Sequence, residues 1–212
     1  MKKLVLLFMT FFISFIGYGQ TEHLTFQGIQ INGSWAEFGS QLVEKTNFKI
    51  ASANLNNQMK KESGINGCLY TCNTFAGITN NWFLITNACT TEKNNYTMSA
   101  VLIYTDPFYS WNNLYKQYLN LKNLYIKKYG DPSITKEYFS DPLIKEAGCE
   151  FMDIENGDGL FINIWYIQDL GNIQIKIEAE NALSGRITIT YSDKINSEKW
   201  YNERINSSLN DI

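Results

Sequence analysis

Two apolar periodicities divide the chain. Trp35, Phe38 and Leu42 recur at the three- and four-residue spacing of a helix, directly after the start of Ser34-Trp35-Ala36-Glu37. That tetrapeptide is a capping box, in which serine and glutamate satisfy each other's backbone amides. The spacing predicts a helix over 34–46. A longer stripe of Trp111, Leu114, Tyr115, Tyr118, Leu121, Tyr125 and Tyr129 predicts a second helix over 110–129. Ser110 suits its N-cap, Lys127 and Lys128 suit the negative end of its dipole, and Gly130 with Pro132 stops it. The tyrosines of this stripe read as core residues rather than a ligand platform.

Elsewhere the period is two. Cys68–Phe75 and Trp82–Cys89 flank Gly77-Ile78-Thr79-Asn80-Asn81 and predict a hairpin, with Met98–Thr105 as a third strand ended by Asp106-Pro107. Residues 47–67, rich in Asn, Lys and Ser, read as loop with short structure. Glu150–Ile154 and Leu160–Ile167 flank Asn156-Gly157-Asp158-Gly159, a second hairpin signal. Ile173–Glu180 and Arg186–Ser192 alternate apolar and polar residues, as half-buried strands do. After Asp193 a terminal helix is expected, with Tyr201, Ile205 and Leu209 as a thin apolar stripe.

The order of elements, helix then antiparallel strands, occurs twice. The strand sets end alike, in Leu102-Ile103-Tyr104-Thr105-Asp106 and Thr188-Ile189-Thr190-Tyr191-Ser192-Asp193. The expected architecture is α+β: two tandem helix-plus-antiparallel-sheet units over 20–106 and 107–193, then a C-terminal helix or tail over 194–212.

Residues 1–19 read as a signal peptide. Lys2 and Lys3 precede an apolar run from Leu4 to Ile16, and Gly17-Tyr18-Gly19 supplies the small residues of a cleavage site before Gln20. The run is short of the about 20 residues a membrane span needs, and no cysteine stands at the cleavage point to carry a lipid. No later segment is apolar enough to span a bilayer. Hydrophobic residues at 44% and charged residues at 18% describe a globular chain. Its formal charge of −3, two units lower without Lys2 and Lys3, excludes an electrostatic footprint for nucleic acid, and no Lys/Arg run suits anionic lipid.

Cys68, Cys72, Cys89 and Cys149 make an even count, which permits disulfides in an oxidising compartment. Folding the first hairpin about Thr79 and Asn80 sets Cys68 opposite Cys89. A Cys68–Cys89 bridge is therefore expected, with Cys72 and Cys149 paired with each other or free. Cys68-x-x-x-Cys72 lacks the second pair of a zinc site, and His23 is the sole histidine, so neither a metal nor another cofactor is expected.

Phe26-Gln27-Gly28-Ile29-Gln30-Ile31-Asn32-Gly33, then a helix, and later Leu121-Lys122-Asn123-Leu124-Tyr125-Ile126-Lys127-Lys128-Tyr129-Gly130 resemble a group of uncharacterised exported proteins of Bacteroidota, over most of the chain. These motifs are structural, so the resemblance implies no active site. The repeated helix-plus-sheet order is also similar to beta-lactamase inhibitor protein-like tandem folds, a likeness of architecture alone.

Candidate chemistry is sparse. Glu178 and Glu180 share one side of a strand, roughly 6.5 Å apart, near the spacing used in glycoside hydrolysis. The wet face of an amphipathic strand, shared with Lys176, explains the same two residues. Asp153-Ile154-Glu155-Asn156-Gly157-Asp158-Gly159 does not have the ligand spacing of a calcium loop. A serine or cysteine nucleophile would have only His23 as its base. Phe161, Asn163, Trp165 and Ile167 share one face of their strand, and Ile162, Ile164 and Tyr166 share the other. Such a strand is either buried on both sides or offers aromatics to a partner, which makes Trp82, Phe161 and Trp165 the candidate binding residues. The expected function is a noncatalytic binding module for a protein or glycan, periplasmic or secreted. A hydrolase using Glu178 and Glu180, or a structural protein of the cell envelope, are the alternatives. N-terminal mass spectrometry of exported protein should find a chain beginning at Gln20; intact Met1 in the membrane fraction would refute cleavage.

Overall fold

Ser34 caps the first helix in the way its sequence implies. In the computed structural model of the chain, which describes residues 22–63, 68–91, 95–140 and 148–210, the Ser34 hydroxyl accepts from the Glu37 amide at 3.2 Å. Glu37 Oε2 accepts in return from the Ser34 amide at 3.1 Å. The bonds from the Ser34 backbone and side chain hold the Glu37 carboxyl below its ordinary pKa. The expected signal peptide lies outside the described residues.

In chain order the elements are β1 (Thr25–Phe26), β2 (Ile29–Gln30), α1 (Trp35–Lys45), β3 (Lys49–Ile50), α2 (Ala53–Ser63), β4 (Leu69–Phe75), β5 (Ile78–Thr91), β6 (Asn95–Thr105), α3 (Trp111–Tyr129), β7 (Ile134–Phe139), α4 (Glu150–Asn156), β8 (Gly159–Ile167), β9 (Gly171–Asn181), β10 (Ser184–Asp193) and α5 (Lys194–Asn210). β1 and β2 form a small hairpin. The other eight strands form one antiparallel sheet in the order β3-β4-β5-β6-β10-β9-β8-β7. The fold is thus α+β, mostly one antiparallel sheet with a few helices. β6 and β10 meet at its centre, where Ile103 pairs with Ile189 and Val101 with Tyr191.

The core lies on one face of the sheet. Phe38 and Leu42 of α1, Trp111, Leu114, Tyr118, Leu121 and Tyr125 of α3, and Phe26 and Ile29 of the N-terminal hairpin pack onto Leu84, Ile103, Ile175, Ile177, Ile187 and Ile189. Gly39 lets α1 approach the sheet, because any side chain there would collide with the Tyr70 hydroxyl. Burial, with Cys68 beside it, pushes that hydroxyl's pKa up to about 12. The Tyr125 and Tyr191 hydroxyls, 2.6 Å apart, bond each other across α3 and β10, and burial raises both phenols above their ordinary range.

Several expectations are corrected. Glu150–Ile154 lies in the helix α4, not in a strand, and Gly157, at φ 86°, is the left-handed cap of that helix rather than a hairpin turn. β8 pairs with β7 and β9. Residues 47–67 contain β3 and α2. The first hairpin turns on Ala76 and Gly77, whose φ values of 51° and 76° suit the two-residue turn of a twisted hairpin. Ser110 stands at the N-cap of α3 but its side chain makes no capping bond. The terminal helix is present as α5, yet Tyr201 is 61% and Ile205 39% exposed, so neither is buried as a stripe would require. Leu209 falls outside the described side chains.

Two polar clusters fix the core's geometry. Buried Asp193 accepts from the Leu24 and Asn196 amides, both at 2.9 Å, and lies 3.1 Å from His23 Nδ1 through either carboxylate oxygen. The Asn196 amide group then donates to the carbonyls of Ile31 and Met98. Under α3, Glu137 of β7 accepts from Tyr118, from Asn163 and, through both oxygens, from Lys122 at 2.9 Å. Thr135 completes the set by donating to Asn163 Oδ1 at 2.8 Å. Burial raises the Glu137 pKa, but the bonds from Lys122, Asn163 and Tyr118 and the Lys122 charge outweigh it and hold the carboxyl below its usual 4.5. A carboxyl lowered on folding stabilises the protein above its unfolded pKa, and that stability is lost as pH falls through the folded value. Urea unfolding from about pH 5 to pH 3 should therefore show the wild type losing more stability than Glu137→Gln. Parallel pH profiles would overturn this account of the cluster.

Candidate binding face

The other face of the sheet is lined by the alternate residues of the same strands. One row crosses all eight in register: Lys136, Ile162, Lys176, Thr188, Tyr104, Phe83, Thr71 and Lys49. At a strand spacing of about 4.8 Å the row is about 34 Å long. Next to it run Ile134, Ile164, Gln174, Thr190, Leu102, Ile85 and Leu69. Towards the β7 edge these side chains are half-buried to exposed, and Tyr138 and Tyr166 are exposed. Towards β4, Ala51, Leu69 and Ile85 close into a small apolar cluster against Phe83 and Tyr104.

The middle of the face is preorganised. The Phe83 and Tyr104 rings stack at 5.2 Å with planes 16° apart, and the Arg186 guanidinium lies 5.2 Å from the Tyr104 centroid on the next strand. Glu180 Oε1 sits 3.8 Å from Arg186 Nη1, and Glu178 Oε1 sits 3.3 Å from Lys176 Nζ. Each carboxylate of the pair that the hydrolase alternative would use is thus an ion-pair partner of a neighbouring cation. A groove of about 460 Å³ between α4 and the β8–β9 ladder is lined by Tyr138, Ile154, Leu160, Lys176 and Glu178, among others, but Glu180 is not in its lining. The two glutamates do not converge on one cleft.

The expected binding residues are corrected by one position. Trp82 has no exposed surface, and its indole N–H donates to the Ile78 carbonyl at 3.1 Å. Trp165 is 2% exposed and donates to Gly130 at 2.8 Å; Phe161, 5% exposed, packs edge-on against Trp111. All three face the helices. Their sequence neighbours Phe83, Ile162, Ile164 and Tyr166 face outward, because adjacent residues of a strand point to opposite sides.

The hairpin register separates the expected cysteine pair. With Leu69 opposite Ile85, Cys68 meets Thr86: the Cys68 amide donates to Thr86 Oγ1 at 2.9 Å, and the Thr86 amide to the Cys68 carbonyl at 3.2 Å. Cys89 lies three residues further along β5, where it pairs with Thr97 of β6. The Cys68–Cys89 pairing that rested on a turn at Thr79 and Asn80 is not formed by this hairpin, and the Cys89 side chain lies outside the described ones. Buried Cys72 faces the core, and burial raises its thiol pKa. Among the described residues, no three His, Cys, Asp or Glu side chains gather as a metal site, and no helix is long and apolar enough to cross a membrane.

Comparisons with protein-family models, with curated proteins and with solved structures each returned no match. The geometry of this face therefore carries the functional reading. If Trp82 is core and Phe83 surface, Trp82→Ala should cost about 3–5 kcal/mol of stability. Phe83→Ala should cost about 1 kcal/mol. Urea midpoints of the two variants measure this, and equal or inverted costs would reverse the assignment of faces.

Proposed function

We propose that this chain is a noncatalytic exported module, periplasmic or secreted, which binds a protein on the open face of its sheet. The observation that carries the reading is the Arg186–Tyr104–Phe83 stack at the middle of that face. Arginine and tyrosine dominate the energetics of protein interfaces, and a stack already formed loses little side-chain entropy on binding. At the centre of the face a protein fits better than a glycan, because one face of Tyr104 is turned to Phe83 and the Arg186 guanidinium lies over the same ring, which leaves no free ring face there for a sugar; the exposed Tyr138 and Tyr166 rings stand apart from it, on the β7 and β8 strands. The half-exposed aliphatic side chains Ile162 and Ile164 favour apolar side chains opposite them.

The order of elements supports a finer reading of the architecture. Helix, strand, helix and three strands occur in that order from α1 to β6 and again from α3 to β10. The strand order is symmetric about the β6–β10 junction. We read the chain as two tandem helix-plus-sheet units joined through their last strands, which makes the open face continuous across both. The ion pairs made by Glu178 and Glu180 speak against the hydrolase alternative.

A photo-crosslinking residue at Thr190, on the open face, should trap a defined protein in the cell that makes this chain, and one at exposed Leu124 of α3 should not. Tyr104→Ala should abolish the Thr190 adduct while moving the thermal midpoint by less than about 5 °C. Adducts from Leu124 alone, or a Thr190 adduct indifferent to Tyr104→Ala, would overturn the proposal.

A further inference from the structure

We infer that the segment this face accepts is an acidic stretch of polypeptide, with carboxylates set beside apolar side chains. The inference rests on the binding face proposed above and adds the chemistry of the partner. Lys49, Lys136, Lys176 and Arg186 lie on the face against the carboxylates Glu178, Glu180 and Asp106, a small excess of cations in a chain whose formal charge is −3. The sign of the face is opposite to that of the whole molecule. Charge of one sign on one face steers a partner of the other sign and excludes a like-charged one.

The cations differ in their commitments. Lys176 and Arg186 have their glutamates at 3.3 and 3.8 Å, in half-exposed pairs that water screens and a partner can compete with. Lys136, on the edge strand β7, has no carboxylate within ion-pair distance among the described residues. Lys136 and Lys176 flank Ile162 in a single row, two strand spacings or about 10 Å apart. An apolar side chain laid on Ile162 would therefore have an ammonium group on either side. The groove lined by Tyr138, Leu160, Glu155, Glu178 and Lys176 meets this row at Lys176. A polyanionic glycan would meet the lysines but would leave the aliphatic surface of Ile162 and Ile164 without an apolar partner. An acidic peptide with interleaved apolar residues satisfies both.

The test is selection of a displayed library of random linear peptides on the whole exported protein, followed by titration of the enriched peptides and mapping by amide chemical shifts. Enriched peptides should carry Asp or Glu next to aliphatic or aromatic residues, shift the amides around Lys136, Ile162 and Lys176, and weaken with added salt. Lys136→Glu combined with Lys176→Glu should lower affinity at least about tenfold. The Gln pair, Lys136→Gln with Lys176→Gln, serves if the reversed charges prevent folding. Neutral or basic peptides mapping to the same residues would overturn the inference and leave the binding face standing. Peptides mapping to the helical side would overturn both. Failure to enrich any peptide, or tighter binding of heparin than of the peptides at these lysines, would also overturn the inference.

Discussion

The backbone ladder between β6 and β10 is the constraint on which the rest depends. Each of these strands is already paired on its other side, β6 with β5 and β10 with β9. Without this ladder β6 and β10 would each be an edge, exposing unpaired amides and carbonyls in the middle of the sheet. The Thr105 hydroxyl extends the junction by accepting from the Ile187 amide at 3.2 Å. Because the residues on either side of the ladder alternate, a slip of β10 by one position against β6 would send Ile189 to the outer face and Thr188 into the core opposite Ile103. The same register that buries the isoleucines places Tyr104 between Phe83 and Arg186.

The division of labour between the two faces follows from that alternation. On the helical face polar groups are present, but they are spent on one another: Glu137 on Lys122, Tyr118 and Asn163, and Tyr125 on Tyr191. Buried polar groups with their bonds made fix the way in which helix and sheet fit together. On the other face, cations and aliphatic side chains keep part of their surface in water.

Long, strongly patterned elements were legible in the sequence. The stripe from Trp111 to Tyr125 spans about four helical turns, and the isoleucines of β9 and β10 repeat without a break; no short-range conflict competes with either. Short elements were not. Seven residues from Glu150 to Asn156 fit a strand or a helix equally well in composition, and only the left-handed Gly157 and the cap it makes distinguish them. The Ala76–Gly77 turn was obscured because alanine rarely adopts positive φ, while the richer turn signal lay just beyond it. That shift of register is what separated Cys68 from Cys89. The candidate site escaped for a related reason. Tryptophan has the most surface to offer a partner, yet the same size makes it valuable in a core, where Trp82 and Trp165 lie. Phe83, Tyr104 and Arg186 come from three distant stretches and become neighbours only through two ladders.

The carboxylate of Asp193 has a consequence for how the molecule opens. It closes β10, begins α5 and holds the N-terminal arm through His23 and Leu24. Chain ends ordinarily fray independently of the domain they flank. Here, lifting either the arm or the first turn of α5 strips a buried carboxylate of partners, so neither opens at small cost. The arm, the last helix and the central strand therefore belong to one cooperative unit, and the amides of Leu24 and Asn196 exchange with solvent only when the middle of the sheet itself comes apart.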